Sequence, residues 1–371
     1  MNRNKVLQIL VVEPYFGGSH RHFLNGLQQS VEAEYTLLTL PARKWKMRMQ
    51  LSAPWFAQRV ADLHESQRYY DTVLCSTFVD VAVLRSLLVR VPGWNPLARF
   101  CTYFHENQFV YPGQITDPAM FQFSAINFLT GVASDGLAFN SKFNRDSFLL
   151  ESEKYIKKAS DMNLANVYKA VLEKSCIIYP GIDYSQIDGK TRENENSVPV
   201  IVWNHRWEHD KNPDEFFSVL KSIKKKGVKF GLILLGESFL HQPSCFAKAK
   251  EEFRDELVHS GYAETKEEYA TLLCRGDLVI STSIHEFFGI SVLEAVRAGC
   301  YPLLPKRLSY PELFPSEYLY NEGELEKNLE ELLARKPILE QERSKALTEP
   351  YAWPAVSGQY RKWLSGEALY V

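Results

Sequence analysis

No Cys-x-x-Cys pair occurs among the six cysteines of this 371-residue chain. They stand far apart, at Cys75, Cys101, Cys176, Cys245, Cys274 and Cys300. That scatter gives neither the spacing of a structural zinc site nor a disulfide framework, so they read as thiols buried in apolar runs in a reducing compartment. No apolar run is long enough to span a bilayer. The first one, residues 6–12, follows Arg3 and Lys5, but Gln8 interrupts it and Glu13 stops it, with no cleavage site. It therefore reads as a strand and not as a signal sequence, and the expected compartment is the cytoplasm. Charge of one sign is missing as well: the formal net charge is −2 and the pI about 6.5. That excludes a global field toward nucleic acid or membrane and leaves only local patches. Internal repeats and low-complexity tracts are also absent.

What remains is an ordinary globular composition, 45% hydrophobic and 24% charged, in a chain long enough for two domains that each bury a core. Apolar runs at 6–12, 36–40, 72–75, 99–103, 136–139 and 175–179 alternate with helical patterns. The alternation restarts at 198–203 and continues through 230–236, 278–281 and 301–304. Such alternation implies parallel sheets flanked by helices.

The most informative stretch is 277–305. A strand gives way to a polar loop with His285 and Glu286; Phe288 and Gly289 then open a helix carrying Ile290, Leu293, Glu294, Ala295 and Ala298, which ends at Gly299 before the next strand. Ligands of such units sit beyond the carboxyl ends of the strands, where helix-start amides favour a negative group. Glu286 and Glu294 are eight positions apart. A loop acid that caps the helix and a solvated helix acid would account for the bare pattern. Against that, Glu294 lies among Leu293, Ala295 and Val296, where a carboxylate without a partner is costly.

The pattern E-x-F-G-I-x-x-L-E-A-x-x-A-G between two strands resembles the donor-site signature of retaining glycosyltransferases with the two-domain GT-B fold, the large sucrose-synthase-like family. The resemblance implies that Glu286 faces the transferred sugar and that Glu294 binds the nucleotide ribose. It also implies that the amides of Phe288, Gly289 and Ile290 hold sugar hydroxyls and diphosphate. Arg206 and Lys211, five positions apart in the loop after 198–203, match the family's basic pair. Their chemistry suits it, because a departing nucleoside diphosphate gathers negative charge that a guanidinium and an ammonium can neutralise without a metal. No Asp-x-Asp metal motif accompanies the signature, so no cofactor is expected beyond the nucleotide sugar itself.

In the first half, the opening strand leads into Tyr15-Phe16-Gly17-Gly18-Ser19-His20, with Ser19 a good helix cap. Gly17 and Gly18 match the family's glycine loop, which closes on donor phosphates and acceptor. A second stretch interleaves Arg43, Lys44, Lys46 and Arg48 with Trp45, Met47 and Met49, a mixture that suits phosphate contact with base stacking and equally suits a solvated basic helix face. A third, Phe104-His105-Glu106-Asn107-Gln108, sets four polar side chains beyond a strand end. Together, E-P-Y-F-G-G-S-H, L-P-A-R-K-W-K-x-R and F-H-E-N-Q resemble the tRNA-queuosine mannosyltransferase branch of the family. By that resemblance His105 contacts the donor sugar, and GDP-mannose and queuosine-containing tRNA are donor and acceptor. Glu106, Asn107 and Gln108 are read as acceptor-binding, and the 43–48 stretch as holding the anticodon stem or loop.

The expected architecture is therefore α/β, a GT-B fold of two Rossmann-like domains whose parallel sheets face a central cleft. Residues 1–187 form the acceptor-side domain and 188–350 the donor domain, with 188–197 a polar linker. Residues 351–371 return to the first domain as a terminal helix. The expected reaction is same-face transfer with retention, in which the leaving phosphate takes the proton of the incoming hydroxyl. A lipid or saccharide acceptor, or an RNA-binding homologue with a lapsed site, are the competing readings; intact Arg206, Lys211, Glu286 and Glu294 argue against the lapsed site.

Overall fold

Strands written as unbroken apolar runs must be covered on both faces, and the computed structural model shows how. It describes residues 6–111, 120–190, 197–236 and 243–368. They divide into two units, Met1–Ile182 with Trp353–Val371, and Asp183–Ala352. Each holds a six-stranded parallel sheet, which with the flanking helices makes the fold GT-B. Glu237, most of the 188–197 linker and Pro112-Gly113 lie outside the described residues.

In the first unit β1 (Gln8–Phe16), β2 (Glu34–Pro41), β3 (Thr72–Ser76), β4 (Arg99–Phe104), β5 (Gly136–Phe139) and β6 (Ser175–Ile177) are ordered β2-β1-β3-β4-β5-β6. The period-two geometry of β1 splits its side chains between two cores. Ile9 and Val11 pack with Phe23, Leu24 and Leu27 of helix Gly18–Ser30. Leu10 and Val12 pack with Phe56 and Val60 of helix Trp45–Asp62 and with Leu84 and Leu88 of helix Val81–Leu88.

Because β1 lies between β2 and β3, the chain leaves it first to one side and then to the other, which opens a crevice at its carboxyl end. The strand continues to Phe16, paired with Pro41, so the helix begins at Gly18 with Gly17 as its cap. Ser19, expected to cap, therefore falls inside the first turn. Gly17 lies so close to Ala42 that a Cβ on it would come within 2.5 Å of the Ala42 Cβ.

The last helix, Trp353–Ser365, is part of this first unit. The Trp353 indole covers Gly26 and Gly181, where an added Cβ would sit 2.0 and 2.1 Å from its ring atoms. The Thr72 hydroxyl on β3 donates to the Leu364 carbonyl (2.9 Å) and the Tyr360 hydroxyl to the Tyr179 carbonyl (2.9 Å).

In the second unit β7 (Val200–Trp203), β8 (Gly231–Leu235), β9 (Leu257–Gly261), β10 (Leu278–Ile280), β11 (Tyr301–Pro305) and β12 (Leu319–Tyr320) are ordered β12-β11-β10-β7-β8-β9. The two-residue β12 is too short to leave a sequence pattern. Here the order reverses at β7, between β10 and β8, so the loops after β7 and β10 share a crevice. Asn212, left-handed at φ 52°, and Pro213 start helix Pro213–Lys225, which buries Phe216, Leu220 and Ile223 on the sheet. No helix among the described residues is long and apolar enough to cross a membrane.

Candidate active site

The loop after β7 carries Asn204 to Lys211 and the loop after β10 carries Ser281 to Gly289, so the crevice brings Lys211 to Glu286. The Lys211 Nζ donates to Glu286 Oε2 (3.1 Å) and to the His285 carbonyl (2.8 Å), and lies 3.2 Å from Asp210 Oδ2. Backbone bonds fix the two loops together: the amides of Ile284 and His285 donate to the Asp210 carbonyl, and the Thr282 hydroxyl donates to the Lys211 carbonyl. Lys211 is 6% exposed. Burial opposes its charge, but Glu286 and Asp210 outweigh that and raise its pKa. Burial would likewise raise the Glu286 carboxyl, yet the Lys211 ammonium pulls it down to about 2. Arg206 is half-exposed beside Glu208 (3.0 Å), and its charge is felt at Lys211.

Gly289, at φ +105°, turns the chain into helix Ile290–Arg297, with Tyr310 close against the place a side chain would occupy. The Phe288 amide points back to Glu286 Oε1 (3.4 Å). One turn on, Glu294 accepts a hydrogen bond from the Tyr269 hydroxyl (2.9 Å), which itself accepts from the Asn204 side-chain amide (3.1 Å). Burial pushes the Glu294 carboxyl up to about 7, the Tyr269 bond only partly opposing it. Ser291 Oγ lies 3.4 Å from His205 Nδ1, and burial followed by the Lys211 charge lowers that imidazole to about 4. The Nε2 of His205 and the Oδ1 of Asn204 are buried without a hydrogen-bond partner among the described residues. The sequence reading had the basic pair and the two acids. It missed Asn204, His205, Asp210 and Tyr269, of which only the first three had a signal, lying in the same loop as Arg206.

The first unit gathers a separate cluster at the carboxyl ends of β1, β3 and β4. His20 bridges Glu13 (Nδ1 to Oε2, 3.0 Å) and Glu106 (Nε2 to Oε2, 3.4 Å). Ser76 and the Tyr15 amide donate to Glu13, and Thr77 donates to Glu106. Burial opposes charge on His20, but the two carboxylates overcome it and raise its pKa to about 10. The His105 ring lies 4.1 Å from that of His20, and burial together with the His20 charge keeps it neutral. Gly17 and Gly18 begin the helix that carries His20.

Not all of the expected acceptor residues face the same way. Glu106 belongs to the His20 cluster. Asn107 is fully buried, and its amide donates to Asn144 Oδ1 (2.8 Å) and Ser147 Oγ (3.1 Å), bracing the loop on helix Lys142–Lys157. Gln108 is buried too, its backbone amide bonded to Asn127. Trp45 packs on Phe123 (5.3 Å) and Phe78 (6.0 Å), while Arg43, Lys44 and Lys46 are exposed and Arg48 is half-buried. The first turn of helix Trp45–Asp62 contains no acid.

Comparison with known proteins agrees with this division. Residues 8–182 match the tRNA-queuosine alpha-mannosyltransferase N-terminal family, and residues 185–350 match glycosyl transferases group 1. A tRNA-queuosine alpha-mannosyltransferase of Drosophila melanogaster is 33% identical over 322 residues, 84% of this chain and 83% of that one. Among solved structures, HepE of Anabaena in complex with UDP superposes with a TM-score of 0.69 at 13% identity, covering 97% of this chain and 100% of that one. Sucrose-phosphate synthase of Thermosynechococcus elongatus gives 0.69 at 14% identity, covering 97% and 100%. The protein is thus a GT-B glycosyltransferase, an enzyme that draws on a nucleotide-sugar donor. Within that class the chain belongs to the tRNA-queuosine alpha-mannosyltransferase family.

Proposed function

We propose that the protein moves mannose from GDP-mannose to the cyclopentene hydroxyl of queuosine in tRNA, with anomeric configuration retained. The observation that carries this reading is the buried Lys211–Glu286 pair at the switch point of the second sheet, in a chain of this family. The donor's bond between the anomeric carbon and the diphosphate oxygen breaks. The queuosine hydroxyl oxygen bonds to the same face of that carbon, and its proton passes to the leaving phosphate, giving GDP and mannosylated tRNA.

Lys211 and Arg206 offset the charge that gathers on the diphosphate as it leaves. Glu286, ionised at any working pH, orients the sugar hydroxyls, and the Phe288, Gly289 and Ile290 amides at the helix start receive the anionic end. Glu294 takes the ribose hydroxyls, with Tyr269 holding its carboxyl in place. On the acceptor side, His105, neutral beside charged His20, is suited to hydrogen-bond a sugar hydroxyl, and Glu106 to receive a polar group of the modified base. Asn107 and Gln108 shape that loop. Gly17 and Gly18 let the backbone approach the phosphates. Arg43, Lys44, Lys46 and Arg48, at a helix start whose own dipole is positive, favour an anion, and the phosphates of tRNA supply one.

Incubating the protein with queuosine-containing tRNA and a panel of nucleotide sugars, then weighing the digested nucleosides, tests this directly. The expected outcome is one added hexose on queuosine with GDP-mannose alone; transfer from another nucleotide sugar, or only to a saccharide, overturns it.

A further inference from the structure

Helix Trp45–Asp62 turns an apolar ridge outward. Met47, Leu51 and Trp55 recur every four residues and so line up along one side, and they are 50%, 55% and 37% exposed. Arg59, next in the series, lays its guanidinium 5.5 Å from the centroid of the Trp55 ring. The opposite side, Met49, Ala53, Phe56 and Val60, is buried, so the ridge is not a displaced core face.

Along the segment that carries the ridge, cations outnumber acids five to one. Arg43, Lys44, Lys46 and Arg48 stand at its start and Arg59 at its end; the helix's single acid, Asp62, is already paired with Arg59 at 2.7 Å. A group of four cations at the head of an apolar strip complements a polyanion that also offers flat apolar faces. Single-stranded RNA is such a molecule, because its unpaired bases stack on aromatic side chains while its phosphates meet the cations. Paired RNA would supply the phosphates but keep its bases inside the helix, leaving Met47, Leu51 and Trp55 in water.

We propose that this ridge is the track on which the unpaired nucleotides of an RNA lie, with a base stacked on Trp55. The inference rests on the reading of tRNA as acceptor and adds where its loop is held and by what contact. It makes Trp55, Leu51 and Met47 specificity-determining residues for looped over fully paired RNA.

Anisotropy titrations with two labelled probes, a hairpin with an unpaired loop and a fully paired duplex of the same length, test it on the full chain. Wild type is expected to prefer the hairpin. Trp55→Ala and Leu51→Ser should each weaken hairpin binding on the order of tenfold, and Trp55→Phe should restore most of it. Duplex binding and the salt dependence should stay unchanged, since no charge is lost. Circular dichroism and thermal unfolding check that these surface variants fold. The proposal is overturned if Trp55→Ala binds the hairpin like wild type, if both probes weaken equally, or if the ridge instead pairs two copies of the chain, seen as a doubled mass that Trp55→Ala abolishes. If hairpin preference depends on Trp55 but no hexose reaches tRNA, the ridge stands and the transferase reading fails. If transfer proceeds and Trp55→Ala changes neither binding nor KM, the reverse holds.

Discussion

Replacing Lys211 with alanine removes the ammonium that lies 3.1 Å from Glu286 and leaves that carboxylate buried. In the wild type, burial raises the carboxyl and the ammonium more than offsets it, holding Glu286 at about 2 against an ordinary 4.5. At ~1.4 kcal/mol for each tenfold in proton affinity, that difference is worth about 3 kcal/mol to the second unit. The side chain is only 18% exposed, so solvent screening removes little of it. Because the folded value is depressed, this stability is present above 4.5 and is lost as pH falls toward about 2. In the variant, burial raises the carboxyl against only the weaker pull of His205 and the Phe288 amide, so the depression is lost: the unit is weakened at neutral pH and loses less as pH falls. The total loss at neutral pH should be roughly 3–5 kcal/mol, the cost of breaking a buried pair from one side. For a unit of this size that is on the order of 6–20 °C in Tm. Transfer should drop by roughly 10²–10³, as when a group that stabilises developing charge is removed, while tRNA binding by the first unit holds. Thermal unfolding across the acid range, with single-turnover transfer followed by nucleoside mass, gives both readouts. An unchanged pH profile of Tm, with turnover within about threefold of wild type, would refute the argument.

Three further outcomes follow from the same geometry. With Glu294 pushed to about 7 by burial, its carboxylate fraction rises about tenfold between about pH 6 and 8, so donor affinity measured by calorimetry should tighten over that range; a flat profile would separate Glu294 from the ribose. Changing Arg43, Lys44, Lys46 and Arg48 together to alanine should reduce the salt slope of tRNA binding by about three and spare donor binding; an unaltered slope counts against phosphate contact there. His20, raised from 6.5 to about 10, contributes stability that is fully present below 6.5 and lost as pH rises through about 10. The Tm of the first unit should fall across that window, and His20→Gln, which strands two buried acids, should start lower and run flat; a wild-type profile already flat there would sink the assignment.

The fold was legible in the sequence because buried parallel strands are written as unbroken apolar runs, and Thr72–Ser76 or Gly136–Phe139 could be marked almost to the residue. Lys211 and Glu286 were legible through the family pattern and not through spacing alone: each lies in the loop after a recognisable strand, and parallel strands deliver their following loops to one end of a sheet. Side chains that matter through distant partners were not. Tyr269 lies in Glu267-Glu268-Tyr269-Ala270, an ordinary helical pattern, and only the packing of that helix brings its hydroxyl to Glu294. Glu13 and His20 read as a strand end and a helix start, and their pairing depends on Gly18 turning the chain back over β1. Glu106 and Asn107 are adjacent polar residues with the same sequence context, yet Asn107 turns inward because Asn144, thirty-seven positions away, is there to meet it.

The indole of Trp353, seated over Gly26 and Gly181, has a consequence for how the molecule comes into being. A ribosome delivers residues 6–182 long before the helix that completes their core, so that half must wait, with Ile9, Phe23 and Tyr103 incompletely covered, until the whole second unit has emerged. A nonsense mutation at or before the codons for Trp353–Ser365 would then harm the part of the protein synthesised first.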